Sequence, residues 1–166
     1  MYFIFFRKNI LTKMKILDEP KAIRLKIMDY LSRREHSSKE IFQKMSQRVE
    51  SREMLEDTIN GLVEDGLLSD ERFAESYFQS RKNRGFGPLR IKNELSQRGV
   101  KDCIFTSIQA DTDWSLYAFE VLVKKLNGKK PEEMQEILKL KKFLNYRGFE
   151  FQDIDKAFSK LNKENL

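Results

Sequence analysis

One spacing occurs three times along this chain and limits what it can fold into. An apolar residue is followed four positions later by a second, and three positions after that by an arginine. The triplets are Ile41, Met45, Arg48; Ile91, Leu95, Arg98; and Leu140, Leu144, Arg147. Apolar side chains four apart share one face of a helix. In the second and third copies a glycine follows the arginine (Gly99, Gly148), where a helix end favours a left-handed residue. In the first copy Val49 takes that place, so its turn is expected to differ. A further helix follows each time, marked by Leu55 and Ile59, Ile104 and Ile108, and Ile154 and Phe158. A unit of about 40–50 residues buries too little apolar surface to be strongly stable alone, so such units shield one another by stacking. The expected fold is therefore all-α: three tandem three-helix repeats forming an elongated, curved helical array. The boundaries predicted are an N-terminal extension, mobile or lightly packed, over residues 1–16, then repeats over 17–68, 69–110 and 111–166.

Local signals agree. Ile23, Ile27 and Leu31 form one helical stripe, Phe73, Tyr77 and Arg81 another, and Trp114, Ala118 and Leu122 a third. Ser37 with Glu40 reads as a capping box before Ile41. Ser69 caps the helix that carries Phe73, with Asp70 and Glu71 suited to its positive end. Pro88 after Gly87 opens a helix, Asp111 or Asp113 caps the next, and Pro131 with Glu132 and Glu133 opens the one after. Cys103, the single cysteine, excludes an internal disulfide; its neighbours Ile104 and Phe105 predict that it is buried. A lone cysteine fits a reducing, cytoplasmic setting. No apolar run approaches the ~18 residues of a membrane span, and the opening MYFIFF places its cations after the apolar stretch, unlike a secretory signal.

The net charge of +6 is concentrated. Residues 1–78 hold 14 basic and 14 acidic side chains, and residues 102–166 hold 11 of each. Between them lie Arg81, Lys82, Arg84, Arg90, Lys92, Arg98 and Lys101, with Glu94 as the sole acid. Such a window suits a polyanion or an acidic protein surface, and a solvated helix face is the plainer reading. Arg81, Lys82 and Arg84 also offset a helix dipole, and Arg90, Glu94 and Arg98 can pair along one stripe. Lys82, Arg84, Lys92 and Lys101 have no obvious acid partner close in sequence. Arg72 either holds a carboxylate such as Glu75 or reaches a partner. Phe86 either tucks against its own repeat or stacks on a base.

Catalysis finds no constellation. His36 is the only histidine and is expected at the surface or in a cap. No nucleophile–base arrangement is present, no metal set is visible, and helix capping accounts for Asp111 and Asp113. Gly85-Phe86-Gly87 lacks the lysine and hydroxyl residue of a phosphate loop. No cofactor and no catalytic residue is predicted.

The stretch DGLLSDERFAESYFQSRKNRGFGPLRIKNELSQRGV, 65–100, resembles the core of the RecX family, bacterial regulators of the RecA recombinase. Asp70, Arg72, Phe73, Ala74, Arg81, Gly85, Gly87, Ile91, Glu94, Leu95 and Gly99 carry the likeness. SRREHS (Ser32–Ser37) and YRGF (Tyr146–Phe149) resemble its first and third repeats. The resemblance implies tandem three-helix repeats and a regulatory protein, and an extended repeat chain is a monomer by default. Such a regulator binds RecA filaments on DNA and restrains ATP hydrolysis, strand exchange and SOS repressor cleavage. The partners implied are the filament and single- or double-stranded DNA, directly or through it. The seven cations of the central window, with Arg72 and Phe86, are then the expected contact surface. The alternative is a helical DNA-binding protein acting without the recombinase, which would bind strands with a steep salt dependence.

Overall fold

The computed structural model describes residues 16–129, 131 and 133–163, and the expected extension falls outside them apart from Ile16. Nine helices form three trios among the described residues: α1 (Pro20–Leu31), α2 (Ser38–Met45) and α3 (Arg52–Glu64); α4 (Asp70–Asn83), α5 (Pro88–Gln97) and α6 (Asp102–Gln109); α7 (Trp114–Leu126), α8 (Met134–Arg147) and α9 (Phe151–Lys163). The all-α repeat array read from the spacing is the observed architecture. No described helix is long and apolar enough to cross a membrane.

Caps start the helices much as their residues suggest. Ser37, Ser69 and Asp113 accept hydrogen bonds from the backbone N–H three residues on, and Ser51 does the same for α3. The Glu40 carboxylate does not complete a capping box; it turns to His36, Arg34 and Arg98. Helix α8 opens at Met134, with Glu133 as its N-cap, rather than at Pro131.

Each trio closes around its own core. Ile23, Ile27, Ile41, Met45, Leu55 and Leu62 fill the first; Phe73, Phe78, Ile91, Leu95 and Phe105 the second; Leu122, Leu144, Phe149, Ile154 and Leu161 the third. The two apolar positions of the triplet lie in these cores for copies one and two; in copy three Leu144 is buried and Leu140 half-buried. Cys103 is exposed, contrary to expectation. Phe105 points into the core, and Cys103, two residues earlier, is turned by about 200° to the opposite side of α6. His36 is 3% exposed rather than superficial: it sits edge-on to Tyr30 and its Nδ1 meets Glu40.

Extensive helix packing stays within each trio, and neighbouring trios meet through turns. The carbonyl of the triplet arginine makes the link. Arg98 O accepts from Ser37 Oγ at 2.8 Å, and Arg147 O accepts from the Gly87 N–H at 2.9 Å. In the first trio Arg48 O accepts from the Leu17 N–H at 2.7 Å, so the strand-like Leu17–Val49 bridge stands where a preceding repeat would be. This is the different geometry at Val49.

At the second junction the backbones nearly touch. A Cβ added at Gly87 would fall inside the Gly148 carbonyl, and one at Gly148 would fall inside Arg90. Gly61, in the interior of α3, has open space around it. Gly87→Ala is therefore expected to destabilise the chain by about 1–3 kcal/mol through overpacking. Gly61→Ala should stabilise it by about 0.4–1 kcal/mol by restricting the unfolded chain. Thermal or urea unfolding of the two variants checks the opposite signs.

Candidate functional site

The central cations surround the turn between α4 and α5. Glu94, on α5, is their hub. Arg81 grips its carboxylate with two bonds, Nε at 2.6 Å and Nη2 at 2.5 Å, and Arg90 Nε approaches at 3.1 Å. The Tyr77 hydroxyl donates to it at 2.9 Å. Arg98 donates to the Glu94 backbone carbonyl at 2.7 Å and reaches Glu40 of the first trio at 3.3 Å. Burial works to raise the Glu94 pKa, but the bonds from Arg81, Tyr77 and Arg90 outweigh it and hold the carboxyl below its ordinary value. Burial, and then the bond to Glu94, push the Tyr77 hydroxyl up, so it remains a donor.

Phe86 is half-buried against the central core and flanked by guanidinium groups: Arg81 at 4.0 Å, Arg90 at 4.5 Å and Arg147 of the third trio at 5.0 Å from its ring centre. It is thus shared between two repeats rather than confined to its own. Arg72 binds a carboxylate, but that of Glu35 in the first trio at 2.9 Å, not Glu75, and also the carbonyls of Gly66 and Leu67.

The seven cations therefore divide. Arg81, Arg90 and Arg98 are ordered by Glu94 and Glu40. Lys92, expected without a partner, meets Asp102 at 3.0 Å in an exposed pair, ten residues away and across the α5–α6 turn. Such a pair is weak. Lys82 lies over the rings of Phe78 and Tyr117, and Arg84 and Lys101 are exposed; none of these three forms an ion pair among the described residues. Sequence reasoning missed Arg147 as a member of this surface, although its place in the triplet, matching that of Arg98, was a usable signal.

These features define a class: an all-α protein of three-helix repeats with an ordered cationic middle and, among the described residues, no cluster of side chains able to hold a metal ion. A family model described as "RecX, second three-helix domain" matches residues 69–105, from the α4 cap into α6. Over 146 residues the chain is 38% identical to the regulatory protein RecX of Pseudomonas entomophila strain L48, covering 87% of this chain and 94% of that protein. The identity and coverage are the same for RecX of Pseudomonas putida strain GB-1. The crystal structure of RecX from Lactobacillus salivarius shares the fold, with a TM-score of 0.76 at 23% identity over 87% of this chain and 97% of that one. The chain belongs to the RecX family of regulatory proteins.

His36 gives the first junction a pH dependence. Burial lowers its pKa despite the opposing bond to Glu40, with Arg34 and Lys44 adding to the lowering. The folded chain thus resists protonation that the unfolded chain accepts near its ordinary value of about 6.5. Stability contributed by the neutral imidazole is present above that pH and is lost as pH falls through the folded value. Thermal unfolding should show the parent losing stability from about pH 6.5 downward. His36→Gln should stay flat until carboxyls held low without His36, such as Glu94, begin to protonate below about pH 4.5. Parallel pH profiles for the two proteins would contradict this account.

Proposed function

We propose that this chain is a cytoplasmic regulator that binds RecA recombinase filaments on DNA and restrains their ATP hydrolysis, strand exchange and SOS coprotease activity. Membership of the RecX family supports the regulatory role. The observation that carries the contact surface is the arrangement around Glu94. One acid orders Arg81 and Arg90, while Lys82, Arg84 and Lys101 are without carboxylate partners among the described residues. An ordered cationic face of this kind suits the phosphate-bearing groove of a nucleoprotein filament, where pre-set guanidinium groups lose little freedom on binding. A monomeric array of turn-linked repeats can follow such a groove lengthwise.

The test is the DNA-dependent ATPase of RecA, titrated with the chain at two salt concentrations. Inhibition at sub-stoichiometric ratios is expected, weaker at the higher salt. The triple variant Lys82→Glu, Arg84→Glu, Lys92→Glu should keep its helicity, since these side chains contribute only one exposed ion pair and the Lys82 contacts over two rings, yet need at least about tenfold more protein for the same inhibition. A folded triple variant that inhibits as well as the parent would refute the surface. Salt-steep strand binding by the chain without any effect on the recombinase would favour the independent DNA-binding reading instead.

A further inference from the structure

Beside the Glu94 cluster, where the second and third trios meet, a cleft of about 230 Å³ opens between the end of α4, one face of α7 and the C-terminal half of α8. Its charged lining is entirely cationic: Arg84, Lys124, Lys125 and Arg147. The rings of Tyr117 and Phe143 form part of its wall.

A structural reading of these cations accounts for part of them. Arg147 ties the junction, donating to the carbonyls of Arg84 at 2.5 Å and Gly85 at 3.4 Å, and its guanidinium lies over Phe143 at 4.9 Å. Lys125 lies over the same ring at 5.4 Å. All of them sit at or near helix C-termini, where a cation offsets the dipole. The dipole explanation is too small, however. Each helix end carries about −0.5 of a charge, so even three ends acting together leave four cations with a clear positive excess. Among the described residues none of the four forms an ion pair with a carboxylate. Glu120 influences Tyr117 through its field but does not line the cleft. Arg84, Lys124 and Lys125 are exposed, so their charges face solvent at the rim.

We infer that this cleft is a binding site for a backbone phosphodiester of a single nucleic-acid strand. The Arg84 guanidinium fork matches the tetrahedral oxygens of a phosphate, Arg147, with Nη1 held by two carbonyls, adds its charge and other N–H donors, and two lysines add point charge without demanding a fixed geometry. A single carboxylate from a protein partner would leave most of this charge unmatched. The cleft runs from Arg84, the C-cap of α4, onto α7 and α8, and Lys82 lies over its Tyr117 ring, so cations continue along it as a strand-tracking path requires. The site extends the cationic surface to the third repeat, and it rests on the proposed function only for its setting on a filament.

The experiment uses the full chain and a fluorescent single-stranded oligonucleotide, titrated over a series of salt concentrations in the absence of recombinase. Lys124→Ala/Lys125→Ala removes two exposed side chains and leaves Arg147 to hold the junction. The slope of log affinity against log salt should fall by about 1.4, at about 0.7 for each lost contact to a single strand, with the melting temperature little changed. An unchanged slope in the folded variant would overturn the site, as would failure of the parent to bind the strand. Equal competition by polyglutamate, or by inorganic phosphate at matched phosphate concentration, would also overturn the assignment to a nucleic-acid backbone. The recombinase ATPase, measured in parallel, separates the two claims. A reduced slope supports the cleft even if the parent proves inactive on the recombinase, and an unchanged slope refutes it even if inhibition by the parent is intact.

Discussion

The arrangement of the repeats depends on an otherwise unsatisfied group, the carbonyl at the end of the middle helix in the second and third trios. A helix leaves its last carbonyls without intrahelical donors. In the second and third trios the carbonyl of the triplet arginine is satisfied by the preceding unit, Ser37 for Arg98 and Gly87 for Arg147, while Arg48, three residues past α2, takes its donor from Leu17 just before α1. In the second and third copies the same arginine's side chain also reaches backward, Arg98 to Glu40 and Arg147 to the Arg84–Gly85 turn. One residue type at one position thus both terminates a helix and joins a repeat to its predecessor. The repeated spacing in the sequence is therefore tied to the way the units are linked as well as to their internal cores.

The two junctions differ in chemistry. The first is polar: Ser37 to Arg98 O, the Ser38 N–H to Asp70, Arg72 to Glu35, Arg98 to Glu40. The second combines backbone bonds from Gly87 and Leu89 to the third trio with an aromatic seam, in which Trp114 meets Phe78 on one side and Phe149 on the other. Partly exposed ion pairs weaken with salt and acid, whereas close backbone contact and aromatic packing do not. The central and third repeats consequently share a firmer joint than the first and central ones.

Much of the fold was legible because it is local. Caps at Ser37, Ser69 and Asp113, the proline opening α5, and the apolar pairs at four-residue spacing are properties of short segments, and the structure follows them. The errors fall where another turn or another repeat intervenes. His36 lies in a segment that reads as surface, and it is buried where the α1–α2 turn packs. Arg72 was read against Glu75 because that acid is near in sequence, but Glu35 comes to it through stacking. Lys92 finds Asp102 across a turn. Cys103 was misread for a different reason: neighbours on a helix do not share a face, so Phe105 says little about a residue two positions away. The central charge window was visible in the sequence, but its extension through Arg147, Lys124 and Lys125 was not. Those residues are acid-balanced in the sequence and meet Arg84 only when α7 and α8 pack beside α4.

A single acid within a run of cations also has a physical explanation. Arg81 and Arg90 both approach Phe86, which places their charges at most ~8.5 Å apart; at an effective dielectric of 20 they repel by at least about 2 kcal/mol. Without a counter-charge the two side chains would splay into solvent and the turn would lose its ordered face. Glu94 sits between them and binds both. The ring of Phe86 adds an attractive surface for their cations. Further acids would dilute the positive charge of the face, and none would disorder it. With one, the arginines are held in place while Lys82 and Arg84 beside them keep their charge available to a polyanion.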